Sequence, residues 1–272
     1  MQKGFTLIEI SIVLVIISLI VGGVLFGRDL IDIANIRAQI SQVDKLSMAV
    51  NAFRLKYSAL PGDMTPNQAA QFGFTVGSGC AGAEGQRDGN GVLHGAPSPF
   101  IYSQGYGETS LFWQDLGASG LNGFIPEVTI NCDGCPAIAQ ADIGKYFPAS
   151  SLSKTAYIYL YGLSGVNWFG LSGIPVINTC GGIVTTGAIK VLHARSIDTK
   201  IDDGKPLTGG VQASVALSAS AIGQAYNSWG PSDPLQCFNG NPTTFPSGEY
   251  STNSAAGNYP DSLNCSLSFR FQ

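Results

Sequence analysis

From Ile10 to Gly27 the chain is uncharged and almost wholly apolar. This stretch of about 18 residues would rise about 27 Å as a helix, close to a hydrocarbon core of roughly 30 Å. Beyond it the apolar positions thin to a stripe. Ile33, Ile36, Ile40, Val43, Leu46, Val50, Phe53 and Tyr57 recur at spacings of three and four, with Arg37, Gln39, Gln42, Asp44, Lys45, Asn51 and Arg54 between them. That pattern predicts a continuation of the same helix, now with one buried face and one wet face. Leu60-Pro61-Gly62-Asp63 ends it, as proline and glycine do. A helix from about Phe5 to Ser58 would be near 80 Å long. Only its second half can pack on a soluble domain.

The rest of the chain, Ala59 to Gln272, is rich in Gly, Ser, Asn and Pro and has short periodic runs. Ala156–Leu163, Gly173–Ile177, Gly182–Thr186 and Ala188–Ala194 read as strands bounded by turn residues. Phe112–Leu121 reads as a short helix, and Val211–Tyr226 as either a second helix or a strand pair. Gly162-Leu163-Ser164-Gly165 is echoed by Gly170-Leu171-Ser172-Gly173, with no solenoid period around it. More than 200 residues suffice for a sizeable core. The expected fold class is α+β: a long N-terminal helix, transmembrane in its first half and amphipathic in its second, packed on one β-rich globular head.

One acidic residue breaks the pattern. Glu9 stands directly ahead of the apolar run, where an ordinary anchor would gain by omitting it. At the centre of a membrane helix a carboxylate costs roughly 2.5–3.5 kcal/mol, and less near an end. A specific cationic partner for Glu9 is the functional reading, and an interfacial charge the plain one. A removable secretory signal would need a shorter apolar stretch and a small-residue cleavage site after it. Neither is present.

Lys3-Gly4-Phe5-Thr6-Leu7-Ile8-Glu9, followed by Ser11-Ile12-Val13-Leu14-Val15-Ile16-Ile17, resembles the class III signal of type IV pilins and pseudopilins. The resemblance covers about the first 30 residues. It implies cleavage between Gly4 and Phe5 by a prepilin peptidase, which also N-methylates Phe5. It further implies that Glu9 pairs with the terminal amine of a neighbouring subunit during assembly. Many major pilins carry a proline where this chain has Phe26, ringed here by Gly22, Gly23 and Gly27. Each glycine weakens a helix by about 1 kcal/mol, so local melting in a filament and close packing against another helix both remain open.

The implied organisation is a leader at 1–4, a membrane half at 5–28, an amphipathic half at 29–60 and a periplasmic or extracellular head at 61–272. The implied function is that of a structural subunit of a type IV pilus-like filament, anchored by a single pass in the inner membrane. Its partners would be the peptidase, other pilin or pseudopilin subunits, an inner-membrane assembly platform and membrane lipid. A pseudopilin of a type II secretion system and a tip adhesin or ligand-binding minor pilin are the alternatives.

Formal net charge is −4 with 12% charged residues, which argues against nucleic acid as the main ligand. The six cysteines, Cys80, Cys132, Cys135, Cys180, Cys237 and Cys265, all follow the apolar run and read as disulfides of an oxidising compartment. Cys132-Asp133-Gly134-Cys135 lacks the partners of a zinc site or a redox fold and reads as a small disulfide loop. Resemblance to the C-terminal disulfide loop of many type IV pilins implies Cys237–Cys265 as one pair.

Asp198, Asp202 and Asp203 cluster before Gly204, as oxygen ligands for calcium do, though Lys200 interrupts them and no glutamate closes the loop. The major pseudopilins of type II secretion bind calcium, which the resemblance adds to this expectation without mapping residues. No other cofactor is expected. Asp88-Gly89-Asn90-Gly91 has only the central part of such a loop and reads as tight turns. His94 and His193 stand outside any catalytic motif, and no H-E-x-x-H, G-x-S-x-G or P-loop occurs. The chain does not read as an enzyme.

Overall fold

The computed structural model describes residues 6–77, 87–95, 104, 107–123, 138–177, 183–215, 237–239, 248–252, 261 and 263–272. Helix α1 runs unbroken from Leu7–Tyr57 over 51 residues, through Gly22, Gly23 and Gly27. It stops at Ser58, whose N–H still bonds the Arg54 carbonyl and whose left-handed backbone (φ 55°) turns the chain out of the helix. The buried residues of α1 are Ile36, Gln39, Val43, Leu46, Ala49, Val50 and Phe53, all in the second half; all but Gln39 and Ala49 lie on the predicted stripe, and Gln39, expected on the wet face, is fully buried.

That half of the helix is fixed to the head by polar contacts as well as apolar ones. Ser150 donates to the Gln39 Oε1 at 2.6 Å, and Gln42 bonds the Ala149 carbonyl and the Ser151 N–H. Phe53 and Tyr57 pack against Phe74. After the Pro61-Gly62 turn come α2 (Pro66–Phe72), capped by Thr65 and Gln68, and α3 (Gly107–Ala118). Gly62 is required at its position. Its φ is +83°, and an added Cβ would stand 2.4 Å from the Glu108 carbonyl.

The head is built on an antiparallel six-stranded sheet centred on β3 (Val166–Ile177). β2 (Ala156–Leu163) and β8 (Cys265–Arg270) flank its first half; β1 (Ile138–Ala139) and β4 (Ile183–Thr186) flank its second. β5 (Val211–Val215) lies outside β8. The ladder of β3 with β4 slips between Gly173 and Val176, across Pro175, which has no N–H to give. β6 (Phe238–Asn239) and β7 (Glu249–Tyr250) form a separate pair. Helix α4 (Ile143–Tyr146) precedes β2, and α5 (Val191–Ile201) lies between β4 and β5.

Two expectations change. The strand expected over Ala188–Ala194 is instead the approach to α5, whose buried residues are Val191, Ala194, Ile197 and Asp198. Those positions recur every three or four residues, the helical period. The strand expected from Gly173 begins at Val166 and takes in Gly170, where the ring of Tyr159 occupies the space of the missing side chain. Of Val211–Tyr226, only Val211–Val215 is described, as β5.

Cys237 and Cys265 are joined, with Cα atoms 4.9 Å apart across 28 positions, the pair the resemblance implies. Cys80, Cys132, Cys135 and Cys180 lie outside the described residues. Replacing both Cys237 and Cys265 by alanine should cost about 3–4 kcal/mol, the chain-entropy value for a loop of that size. Denaturant unfolding of the full chain in detergent, beside non-reducing peptide mapping of the native protein, checks this. A free Cys237 thiol, or an unchanged midpoint, would contradict it.

Candidate functional site

Gly4 and Phe5 lie outside the described residues; the structure begins to speak at Thr6. Thr6 has an extended backbone (φ −79°, ψ 153°) and caps α1. Its N–H and hydroxyl both donate to Glu9 Oε2 at 2.7 Å, and Glu9 N–H returns a bond to the Thr6 hydroxyl at 3.4 Å. This is a capping box, which satisfies donors that a helix start leaves orphaned. It also answers how the carboxylate is tolerated at the edge of an apolar run: the chain supplies two donors of its own. Oε1 of Glu9 accepts no bond among the described residues, so the carboxylate keeps an acceptor for another group.

Behind this cap the helix has no protein cover. Leu7, Ile8, Ile12, Leu14, Leu19 and Phe26 are exposed, and no residue of α1 before Ile36 is buried. It is the one helix among the described residues long and apolar enough to cross a membrane. An added Cβ at Gly22, Gly23 or Gly27 would meet nothing within 4 Å, so these glycines present bare backbone to whatever surrounds the helix. Such a surface can insert in lipid or pack on similar helices.

The aspartates of the second candidate come together as expected in space. One carboxylate oxygen from each of Asp198, Asp202 and Asp203 lies within 4.8 Å of the others. Asp198, buried at the end of α5, accepts from the Tyr250 hydroxyl at 2.8 Å and from Gly204 N–H at 3.1 Å. Asp202 accepts from the N–H groups of Gly210 and Val211. Asp203 accepts from Lys205 N–H and the Thr208 hydroxyl.

Burial pushes Asp198 up to about 6, with its neighbours Asp203 and Asp202 adding repulsion; the Thr208 bond holds Asp203 below its ordinary value. Five of the six oxygens thus serve the chain's own donors, and the loop closes on those bonds. A calcium ion, which takes six to eight oxygens, would have to use second lone pairs of the same carboxylates.

The two histidines stay apart. His193 faces Asp32 of α1, with Nε2 at 3.3 Å from Oδ2, beside Lys190 at 3.7 Å. His94 lies on the loop ahead of α3. Sequence reading does not single out Arg87, Asp115, Asp63 or Glu108, which form the buried charged cluster of the head. Arg87 and Asp115 are 28 positions apart, so no local spacing rule pairs them. The Pro61-Gly62-Asp63 turn and the Asp88–Gly91 turns were the only local signs.

No curated protein and no solved structure matches the chain. Residues 1–25 match the prokaryotic N-terminal methylation motif. This motif leads into a capped helix whose apolar half lies bare, and residues 1–25 are the class III prepilin signal of type IV pilins and pseudopilins.

Proposed function

We propose that the chain is a structural subunit of a type IV pilus-like filament, polymerising through α1 after its leader is removed at Gly4 and Phe5 is N-methylated. The carrying observation is the form of α1: a carboxylate held at its start, an uncovered apolar half, and a second half packed on a folded head. In this reading the bare half is held by lipid before assembly and by other subunits after it. Glu9 takes the Phe5 amine of a neighbour. The peptidase, fellow pilin subunits and an inner-membrane platform are the partners, and the head stands in the periplasm or on the cell surface. The chain's own chemistry is that of a substrate rather than a catalyst.

A pseudopilus of type II secretion would use the same parts, and a tip adhesin would add ligand recognition by the head. Deleting the gene for the chain, then scoring surface filaments against exoprotein release, separates filament from pseudopilus. Processing is tested directly. The mature protein purified from a host with a prepilin peptidase should begin with N-methyl-Phe5 by N-terminal mass spectrometry. An intact leader in assembled material, or a cut near Gly27, would defeat the reading.

A further inference from the structure

The head hangs on α1 at a fixed height above the apolar run. That run ends at Gly27, and α1 continues through it without a break. Among the described residues, the first ion pairs between α1 and the head are at Asp32. Its Oδ2 lies 3.3 Å from His193 Nε2 and 3.7 Å from Lys190 Nζ. From Gly27 to Asp32 a helix rises about 7.5 Å. The polar layer of a bilayer reaches roughly 5–8 Å beyond the hydrocarbon on each side. A helix that crosses a bilayer with this run therefore carries Asp32, and the part of the head that grips it, at headgroup level.

Two segments of the head meet at that end. The Ile189 backbone bridges Cys265, the Leu263 carbonyl lies against Gly187, and Lys190 pairs with Asp261 at 3.4 Å. Apolar side chains lie open around this junction. Ile33 belongs to the stripe of α1 that the head buries from Ile36 onward, yet it is 42% exposed, and Leu30 before it is 52% exposed. On the head, Leu192 is 40% and Leu263 52% exposed. One exposed leucine is ordinary. Here four apolar side chains stand around one contact, among charges of both signs, a few ångströms above a membrane span. Apolar groups interleaved with charged ones are what segments lying in a bilayer interface carry.

We propose that this rim of the head, Leu192 and Leu263 together with Leu30 and Ile33 of α1, rests on the bilayer surface while the chain is unassembled, and that its partner there is zwitterionic phospholipid. The proposal rests on the reading of α1 as a membrane anchor. Lys190 is engaged by Asp32 and Asp261, and Arg28 is followed by Asp29, so the rim has no surplus of positive charge to seek anionic lipid. Its contact is the leucines and Ile33 entering the interface, with the ion pairs left at the level of the headgroups. A head seated in this way holds one orientation on the membrane, and entry into a filament lifts it off.

The full chain, diluted into phosphatidylcholine vesicles that are plain or brominated near the carbonyl end of the acyl chains, provides the test. Tryptophan replaces Val15, Leu192, Leu263 or Leu55 one at a time, all of them exposed positions. The emission of the three native tryptophans, read from the unsubstituted chain, is subtracted. Val15→Trp, within the span, should lose emission to bromine. Leu192→Trp and Leu263→Trp should lose it too, while Leu55→Trp, about 42 Å of helix beyond Gly27, should lose none. Rim signals as intact as that of Leu55→Trp, with Val15→Trp quenched, overturn the seated head and leave the anchor standing. An unquenched Val15→Trp overturns both. Rim quenching that disappears as protein is diluted further in lipid would assign the rim to a second copy of the chain, and the proposal would fall.

Discussion

Replacing Arg87 by alanine should remove roughly 3–5 kcal/mol of folding stability, the usual loss when one partner of a buried ion pair is deleted. Arg87 is fully buried and Asp115 is 1% exposed. Two guanidinium nitrogens meet the two oxygens of Asp115 at 2.9 and 2.7 Å, and Nε donates to the Thr75 carbonyl at 2.6 Å. Asp115 Oδ2 also accepts the Gly62 N–H at 2.7 Å, so the pair ties the end of α1, the start of the 87–95 segment and α3 together. Alanine would leave a carboxylate buried with only one backbone donor. Arg87→Lys keeps the charge but not the planar two-point grip and should lose less. Urea unfolding of the full chain in detergent measures both. A loss below about 1 kcal/mol for Arg87→Ala would place the pair with exposed ion pairs in worth and refute the role assigned here.

That pair shows where reading the chain alone runs out. Helix α1 is legible because its signals are local: an apolar run, then a stripe at spacings of three and four, then proline and glycine. The hairpin of β2 and β3 is also local, turning at Ser164 and Gly165 with φ of 51° and 78°, the left-handed pair that tight hairpins need. The echo of the same four residues, Gly170-Leu171-Ser172-Gly173, has no such turn and lies within β3. Identical words differ in structure because Gly170 faces the ring of Tyr159 across the hairpin and pairs on its other side with Ser268, a contact set by distant sequence.

Strand β8 was also legible in principle. Cys265, Leu267 and Phe269 alternate with Ser266 and Ser268, the period of a strand, and what the alternation could not show is that the serine face is buried too. Helix α5 was legible in principle. Val191, Ala194 and Ile197 carry the helical period, but the β-branched and apolar run before them imitates a strand. Of the candidate assembly site, Glu9 and its apolar context are plain in the sequence, while the capping box needs only Thr6 three residues earlier, a spacing that helix starts favour.

Glu9→Val should reduce incorporation into filaments to background while leaving membrane insertion, and cleavage after Gly4, intact. In the isolated chain the carboxylate rests on the Thr6 N–H and hydroxyl. Exchange into a bundle of apolar helices would strand it unless a cation meets it there, and a paired charge in such surroundings is directional. The amine of a neighbouring Phe5 would supply the cation and fix the axial register between helices. Valine removes that directionality. It makes the anchor more apolar, so loss of assembly could not be ascribed to loss of anchoring.

Valine also removes the half of the capping box in which the carboxylate accepts from the Thr6 N–H and hydroxyl, and leaves the Thr6 hydroxyl to accept the N–H of position 9. Thr6→Ala removes the capping hydroxyl while keeping the carboxylate, and so separates the two effects. Fractionation of membranes and shearing of filaments from the same cells should show Glu9→Val inserted but absent from fibres, with Thr6→Ala impaired less. Normal incorporation of Glu9→Val would make the carboxylate an interfacial charge and nothing more. Equal failure of both variants would shift the assembly role from the carboxylate to the order of the helix start.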